Sequence, residues 1–225
     1  MTHKLNEMMD KPIIKESVLN YMREALPKFS GIIGELEEAA HRRRVPIIPH
    51  ETATYIDQLL SVIRPEKILE VGTAIGFSAL LMAQYAPVDT IERNPVMVEE
   101  AKENFQRSNS PYAIQLLEGD AKDLLEKVEG PYDVIFLDSA KAKYIEFLPR
   151  CLELLADNGV ILIDDIFQGG TVFDDDDTIP RRVRKIHRNL NALLEKLTND
   201  PMLKVSFLPL GDGLAMINKR KIVKV

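Results

Sequence analysis

The stretch ILEVGTAIGFSALLMA, residues 68–83, decides the fold of this chain. It begins with a short apolar run, continues through a loop that contains Gly72 and Gly76, and ends in a run of apolar, helix-forming residues. This order predicts a buried strand, a tight turn and a helix. Glycine at both ends of the loop allows the backbone to approach a ligand closely, although a simple tight turn would use the same residues.

Short apolar runs and helical patterns alternate through the rest of the chain. The apolar runs lie at 67–72, 88–92, 113–119, 132–138, 160–164, 203–210 and 213–218. The helical patterns between them lie at 76–86, 95–108, 121–127, 141–156 and 180–198. Such alternation predicts a mostly parallel α/β sheet with helices on both faces, and the LGDG segment between the last two runs predicts a C-terminal antiparallel hairpin.

The N-terminal part of the chain has helical periodicity instead. Patterns at 13–26, 31–44 and 50–63 predict helices. The first places its apolar residues near one face, and the second brings a further group into register. These residues are Ile14, Val18, Tyr21, Met22 and Leu26, then Ile33, Leu36, Glu37 and Ala40. We therefore expect a helical N-terminal extension over residues 1–44 and one α/β domain over residues 45–225.

Composition excludes several classes of protein. The chain has 225 residues and a single cysteine, Cys151, which cannot form an internal disulfide and fits a reducing compartment. The N-terminus, MTHKLNEMMDK, is polar, and no apolar run has the ~18 residues that a membrane span requires. We expect a cytoplasmic protein with no membrane partner. A net charge of −6 argues against a protein that coats nucleic acid by charge alone.

The loop after the first strand narrows the choice of cofactor. Its spacing is G-x-x-x-G, with Ala74 where a dinucleotide fingerprint has glycine, which disfavours a nicotinamide enzyme. No P-loop sequence is present. The acidic residue Glu70, just before the loop, would repel a pyrophosphate and suits a ligand that carries positive charge.

Acidic residues also stand at the next two predicted strand ends. Glu92 ends the second strand, 20 residues after Gly72, the spacing at which a carboxylate commonly holds a ribose diol. Asp120 and Ala121 follow the third strand and could border an adenine ring, while Asp120 is equally suited to cap a helix. Together with the glycine loop, these features resemble the class I, Rossmann-like fold of S-adenosylmethionine-dependent methyltransferases.

Three aspartates and a lysine stand at the ends of the fourth and fifth predicted strands. Asp138 ends one strand, while Asp164 and Asp165 end the next. Carboxylates that converge in this way repel each other unless a cation lies between them. Oxygen ligands favour Mg²⁺, with Mn²⁺ or Ca²⁺ as alternatives. Helix caps and solvated loop acids would explain a single aspartate, but they explain three at adjacent strand ends less well. Lys141 could point into the same site as a base or as an electrostatic anchor.

At this point the chain resembles the cation-dependent O-methyltransferase family of the catechol and caffeoyl-CoA type. The resemblance rests on LEVGTAIGFSAL, TIERNP, EGDA, DVIFLDSAKAKY, GVILIDD and LPLGDGLAM, in that order, from about Pro46 to Lys219. It implies metal ligands at Asp138, Asp164 and Asp165, a catalytic pair of Lys141 and Asp138, and a homodimer. The cofactor site that it implies, together with the loops above, comprises Ile48, Glu70, Gly72, Gly76, Ser78, Glu92, Asp120, Ala121 and Asp138.

The sequence departs from the family pattern at three positions. Asp165 stands where animal and plant members usually have Asn, Ala140 replaces an Asp or Trp, and Phe167 differs from the usual residue of the following loop. These departures leave the methyl-transfer chemistry intact but put a small phenolic acceptor in question.

Two basic clusters favour a larger acceptor. One contains Arg42, Arg43 and Arg44; the other contains Arg181, Arg184, Lys185 and Arg188, which share a face if the helix begins at residue 180. They could contact the phosphates of a folded RNA, or they could lie on a solvated helix whose charge is offset by the acids at 174–177. Within the family the chain most resembles the bacterial enzymes that methylate 5-hydroxyuridine of tRNA.

The sequence therefore predicts a Mg²⁺-dependent O-methyltransferase. It would move a methyl group from S-adenosylmethionine to the 5-hydroxyl of 5-hydroxyuridine in a tRNA anticodon loop, giving 5-methoxyuridine at the wobble position. Two alternatives remain open. One is a methyltransferase that acts on a small catechol or phenol. The other is a non-catalytic RNA-binding module that retains a relic methyltransferase fold.

Overall fold

The structure is a computed structural model that describes residues 13–220. Its strands are β1 (Ile68–Val71), β2 (Val88–Glu92), β3 (Ile114–Glu118), β4 (Tyr132–Leu137), β5 (Leu155–Ile163), β6 (Leu203–Leu208) and β7 (Leu214–Lys219). Its helices are α1 (Glu16–Ala25), α2 (Gly31–Arg43), α3 (His50–Ile63), α4 (Phe77–Met82), α5 (Pro95–Arg107), α6 (Ala121–Leu124), α7 (Tyr144–Leu154) and α8 (Arg184–Asn199). The predicted extension and domain also include residues 1–12 and 221–225, which lie outside the described residues.

The strands form one seven-stranded sheet with the order β3-β2-β1-β4-β5-β7-β6. β1 to β5 are parallel to one another, and β7 is antiparallel to both β5 and β6. The predicted sheet and its C-terminal hairpin are confirmed. The strand order reverses between β1 and β4, and a crevice opens beyond the carboxyl ends of parallel strands at such a point. The fold therefore places a ligand site at the ends of β1 and β4.

Helices cover both faces of the sheet. All four residues of β1 are buried, with Leu69 and Val71 in the core under α7 and α8, and Ile68 in the core under α2, α3 and α4. α2 packs into this second core, and the group predicted to be in register is buried as a whole. Within residues 13–220, none of the helices has the length and apolar character that crossing a membrane requires.

The predicted apolar face of α1 is wrong at Val18 and Tyr21, whereas Ile14, Met22 and Leu26 are half-buried. Val18 is 48% exposed and Tyr21 is 71% exposed, while Leu19, one position away, is the buried residue of this helix. α1 is held instead by the Arg23 guanidinium, which donates to both oxygens of the Glu51 carboxylate at 2.8 and 3.0 Å. The inward face of α1 thus combines the buried Leu19 and the half-buried Met22 and Leu26 with this ion pair.

Three element boundaries also differ from the predictions. β5 begins at Leu155 rather than 160, because Leu155 is buried and pairs with Tyr132 of β4 before the Asn158–Gly159 turn signal is reached. Residues 141–143 form a short 3₁₀ turn, and α7 starts after them. α8 begins at Arg184, because residues 181–183 form a turn in which Val183 N–H donates to Pro180 O. Arg181 therefore lies before α8 and does not share its basic face.

Candidate active site

A cavity of about 750 Å³ lies at the carboxyl ends of the central strands. Most of the residues predicted for the cofactor and metal sites line it. They are Ile48, Gly72, Ser78, Glu92, Asp120, Ala121, Asp138, Lys141, Asp164 and Asp165. Glu70 and Gly76 are not part of the lining. The sheet thus brings together side chains that are distant in sequence, as expected at the topological switch point.

Gly72 is required by the close approach of two strand ends. Its φ of 111° lies in the region that favours glycine, and a Cβ at this position would stand 1.8 Å from the Asp138 carbonyl oxygen. Gly76 has a different role, because a Cβ there would meet the Phe105 ring of α5 at 2.5 Å. Gly76 therefore permits helix packing behind the loop, whereas Gly72 brings the β1 and β4 ends together at the cavity.

Glu92 ties the glycine loop to the end of β2. Its Oε2 accepts a hydrogen bond from Ala74 N–H at 3.0 Å, and its Oε1 accepts from Arg93 N–H and Asn94 N–H at 2.9 and 2.8 Å. A carboxylate oxygen accepts more than one hydrogen bond, so Glu92 retains capacity for a hydroxyl ligand in the cavity. The three backbone donors fix its orientation toward that space.

Asp120 caps a helix and also lines the cavity. Its side chain accepts from Lys122 N–H at 2.9 Å and so caps α6, as the local pattern predicts. Together with Ala121 it also lines the cavity, and Arg93 lies 3.4 Å from it. The cap positions this part of the wall where the resemblance places an adenine ring.

Glu70 lies fully buried beneath the loop and accepts a hydrogen bond from Thr90 Oγ1. Burial raises the pKa of Glu70 to about 7, and the Ser78 and Thr90 hydroxyls offset part of this effect. Ser78 lines the cavity and contacts Glu70, so Glu70 acts on the site through that hydroxyl. Glu70 therefore reaches the cavity through Ser78, whereas its position in the sequence predicts direct contact with the ligand.

The buried Glu70 predicts a measurable effect of pH on stability. Its pKa rises from an ordinary 4.5 to about 7, so the folded state binds the proton more tightly than the unfolded state. The free energy of unfolding should therefore fall as the pH rises from 4.5 to about 7, and Glu70 should account for roughly 3 kcal/mol of this loss. We expect Glu70→Gln, which keeps the acceptor for Thr90, to show a correspondingly flatter pH profile in urea titrations. Parallel profiles of both proteins would contradict this expectation.

The three aspartates predicted as metal ligands meet at one wall of the cavity. Burial raises the pKa of Asp138 to about 7 and that of Asp164 well above its usual range, and repulsion from Asp165 adds to both. Lys141 Nζ lies 2.9 Å from Asp165 Oδ2. Among residues 13–220, no group of His, Cys, Asp or Glu stands ready-made to hold a metal ion. The three carboxylates thus line one cavity and interact with one another, and their role as metal ligands stays a prediction.

Several residues that line the cavity were missed at the sequence level, and two charged ones stand out, Asp212 and Arg23. Asp212, in the turn between β6 and β7, lies 3.5 Å from Lys141 Nζ. Arg23 reaches the cavity from α1 and pairs there with Glu51, whose side chain is fully buried. The LGDG segment offered a signal for Asp212, because a turn acid at the carboxyl end of a strand faces the same edge as the other site residues. Arg23 had no comparable local signal.

The basic residues predicted to contact RNA lie outside the cavity lining. Arg42 pairs with Glu38 at 3.4 Å, and Arg43 forms a two-point ion pair with Glu100. Arg188 donates to both oxygens of Asp176, and the Arg184 guanidinium also lies near that carboxylate. Exposed residues make up the rest of the two clusters, namely Arg44, Arg181 and Lys185. Much of the positive charge is therefore already offset within the protein.

Comparison with known proteins agrees with this geometry. The sequence model of the O-methyltransferase family matches residues 27–220. The chain belongs to this family. It is 35% identical over 169 residues to the O-methyltransferase ankF of Aspergillus thermomutatus. This match covers 68% of this chain and 71% of that protein.

Two further relatives span nearly the whole chain. A catechol O-methyltransferase of Niastella koreensis is 28% identical over 226 residues, with 96% of this chain and 98% of that protein covered. The crystal structure of the SAH-bound methyltransferase PaMTH1 from Podospora anserina superposes with a TM-score of 0.81 at 26% identity. The superposition covers 92% of this chain and 95% of that one. The chain is an S-adenosylmethionine-dependent O-methyltransferase with the class I fold, which argues against the non-catalytic alternative.

Proposed function

We propose that this O-methyltransferase acts, with Mg²⁺, on a small acceptor that carries adjacent oxygens, as a catechol does. One observation carries the proposal. The carboxylates Asp138, Asp164 and Asp165 lie in one cavity wall beside Lys141, and the basic clusters predicted for RNA lie outside that wall and are partly paired with acids. The catechol O-methyltransferase of Niastella koreensis supports the same choice of acceptor.

The residues present fit a divalent metal. Burial and repulsion from Asp165 raise the pKa of Asp138 and of Asp164, and together the three carboxylates form an oxygen donor set, which a hard cation would neutralise. When bound, Mg²⁺ would lower the pKa of the acceptor hydroxyl and hold it in place. Lys141 faces Asp165 and would stabilise the negative charge on the acceptor oxygen. Glu92, Ser78 and Ile48 would orient the methyl donor, so that the reacting atoms meet in line.

An acceptor panel tests the proposal. Purified protein would be incubated with S-adenosylmethionine and with either catechol or tRNA that contains 5-hydroxyuridine, and the products would be measured by mass spectrometry. We expect methylation of catechol that is lost with a chelator and restored by Mg²⁺. Methylation of the tRNA without turnover of catechol would overturn the proposal in favour of the sequence-based tRNA prediction.

Variants of the basic clusters provide the control. Arg43→Glu and Arg184→Glu reverse charges outside the cavity lining, so the catechol rate should change less than about twofold. A selective loss of tRNA methylation in these variants would support the RNA surface. The cytoplasmic location and the homodimer predicted from the sequence are further proposals, and light scattering of the purified protein would test the dimer.

A further inference from the structure

The 45–49 segment connects α2 to α3 and forms one side of the active-site cavity. Residues 46–49 all line the cavity, although none of them belongs to a helix or a strand. Among residues 13–220, neither Ile47 N–H nor Ile48 N–H donates to a backbone oxygen. This side of the cavity therefore depends on the packing of its side chains and on the contacts at the two ends of the segment.

α2 provides a contact at each end of the segment. At the first end, Val45 N–H donates to Ala40 O at 2.9 Å. At the second end stands His50, the first residue of α3, whose Nδ1 lies 2.7 Å from Oε1 of Glu37. Both side chains are buried, with only 5% and 10% of their surface exposed. This hydrogen bond thus ties the end of the segment to the middle of α2.

The second end lies beside open space, so that close packing alone does not fix it. A second cavity of about 340 Å³ adjoins it, and Pro49 lines both this cavity and the active-site cavity. Glu37 and His50 line the second cavity. The Phe29 ring adds an aromatic contact, since it packs edge-to-face against His50 at 5.4 Å and against Phe77 of the active-site cavity at 6.1 Å. The position of Pro49 therefore depends on how its neighbour His50 is held.

We propose that Glu37 and His50 are a pair of positioning residues for the methyl donor. Their hydrogen bond holds the end of the 45–49 segment, so that Ile48 keeps its place in the wall of the cavity. Neither residue of the pair lines the active-site cavity, and both act through the segment. Their effect on binding rests on the proposed contact between Ile48 and the methyl donor, and not on which acceptor is methylated.

Three variants isolate the hydrogen bond. Glu37→Ala removes the acceptor, whereas Glu37→Gln retains an oxygen that can accept from His50 Nδ1. Asp57→Ala is the matched control, because Asp57 lies on the same helix as His50 and its carboxylate accepts a 2.7 Å hydrogen bond from Tyr85 OH. Neither Asp57 nor Tyr85 lines the active-site cavity.

Calorimetric titration with S-adenosylhomocysteine measures the effect without an acceptor or Mg²⁺. Loss of a buried hydrogen bond should weaken binding by about tenfold in Glu37→Ala. Glu37→Gln should restore the affinity to within about threefold of the wild-type value, and Asp57→Ala should stay within about twofold of it. Equal weakening in Glu37→Ala and Asp57→Ala would overturn the proposal, because it would indicate a general loosening of α3.

A double variant keeps the test decisive if Glu37→Ala does not fold. Glu37→Leu combined with His50→Phe replaces both partners by apolar side chains, which leaves no buried polar group without a partner and should preserve the fold. It still lacks the hydrogen bond, so we expect S-adenosylhomocysteine to bind about tenfold more weakly than to the wild type. Wild-type affinity in the folded double variant would overturn the proposal.

A mutant cycle with Ile48→Ala tests whether the pair acts through the segment. Glu37→Ala should cost less than about threefold in affinity for S-adenosylhomocysteine when Ile48 is already Ala, because the side chain to be positioned is absent. A tenfold loss that persists in this background would contradict the route through the segment. Because neither an acceptor nor a metal is present, failure of the catechol assay and failure of this binding test are separate results.

Discussion

Replacement of Asp164 by alanine should abolish methyl transfer. Asp164 is 2% exposed, lies in the cavity wall and is repelled by both Asp138 and Asp165. If these carboxylates hold Mg²⁺, loss of one ligand removes several kcal/mol of charge stabilisation at the acceptor oxygen, and we expect kcat to fall by at least about 1,000-fold. Steady-state kinetics with catechol over a range of Mg²⁺ concentrations would measure the loss.

Two variants separate this effect from simple unfolding. Asp157→Ala removes an exposed aspartate from the same strand and should leave kcat unchanged. Asp164→Asn retains an acceptor for Asp165 N–H but removes a buried charge, so the melting temperature without metal should be equal to the wild-type value or higher. An undiminished rate of Asp164→Ala in metal-free buffer would refute the metal site.

Gly72→Ala should cause the largest loss of stability among the loop variants. The new Cβ would stand 1.8 Å from the Asp138 carbonyl oxygen, so β1 and β4 would have to separate at the cavity. The residue would also keep a φ of 111°, which L-residues rarely adopt. Together these effects should lower the free energy of unfolding by about 3 kcal/mol or more, as measured by urea denaturation of the cofactor-free protein.

Gly170→Ala is the control for this prediction. Gly170 also has a positive φ, 84°, but a Cβ there has no atom within 4 Å. It should therefore cost only the backbone strain, about 1 kcal/mol. Similar losses for the two variants would mean that the contact with Asp138 is not what requires glycine at position 72. Calorimetric titration with S-adenosylmethionine should also detect weaker binding in Gly72→Ala.

Much of the fold followed from local patterns in the sequence. Apolar runs such as YDVIFL correctly predicted the strands, because a strand buried on both faces is made almost entirely of apolar residues. The positions of Glu92 and Asp138 at strand ends then placed them at one edge, because parallel strands share the direction of their carboxyl ends. Most of the acidic residues that line the cavity therefore follow from the positions of the strand ends, and Asp212 is the exception among them.

The errors occurred where a long-range contact outweighed a local pattern. In α1, Leu19 is buried on the side where Arg23 pairs with the buried Glu51, while Tyr21 of the predicted apolar face is exposed. Arg181 has helical spacing to the basic residues after it, but the turn after Pro180 delays the start of α8. Periodicity alone does not contain the partner that decides either case.

The sequence by itself determined the α/β class, the strand ends that carry the acidic residues and the family to which these motifs point, because each depends on residues that are adjacent or periodic along the chain. Only the tertiary structure decided which charges are available to a ligand. Arg43 is paired with Glu100, a contact across 57 residues of sequence that no local pattern encodes. Electrostatic effects fall off with distance in space, so the proposal of a small acceptor rather than an RNA rests in part on that pairing.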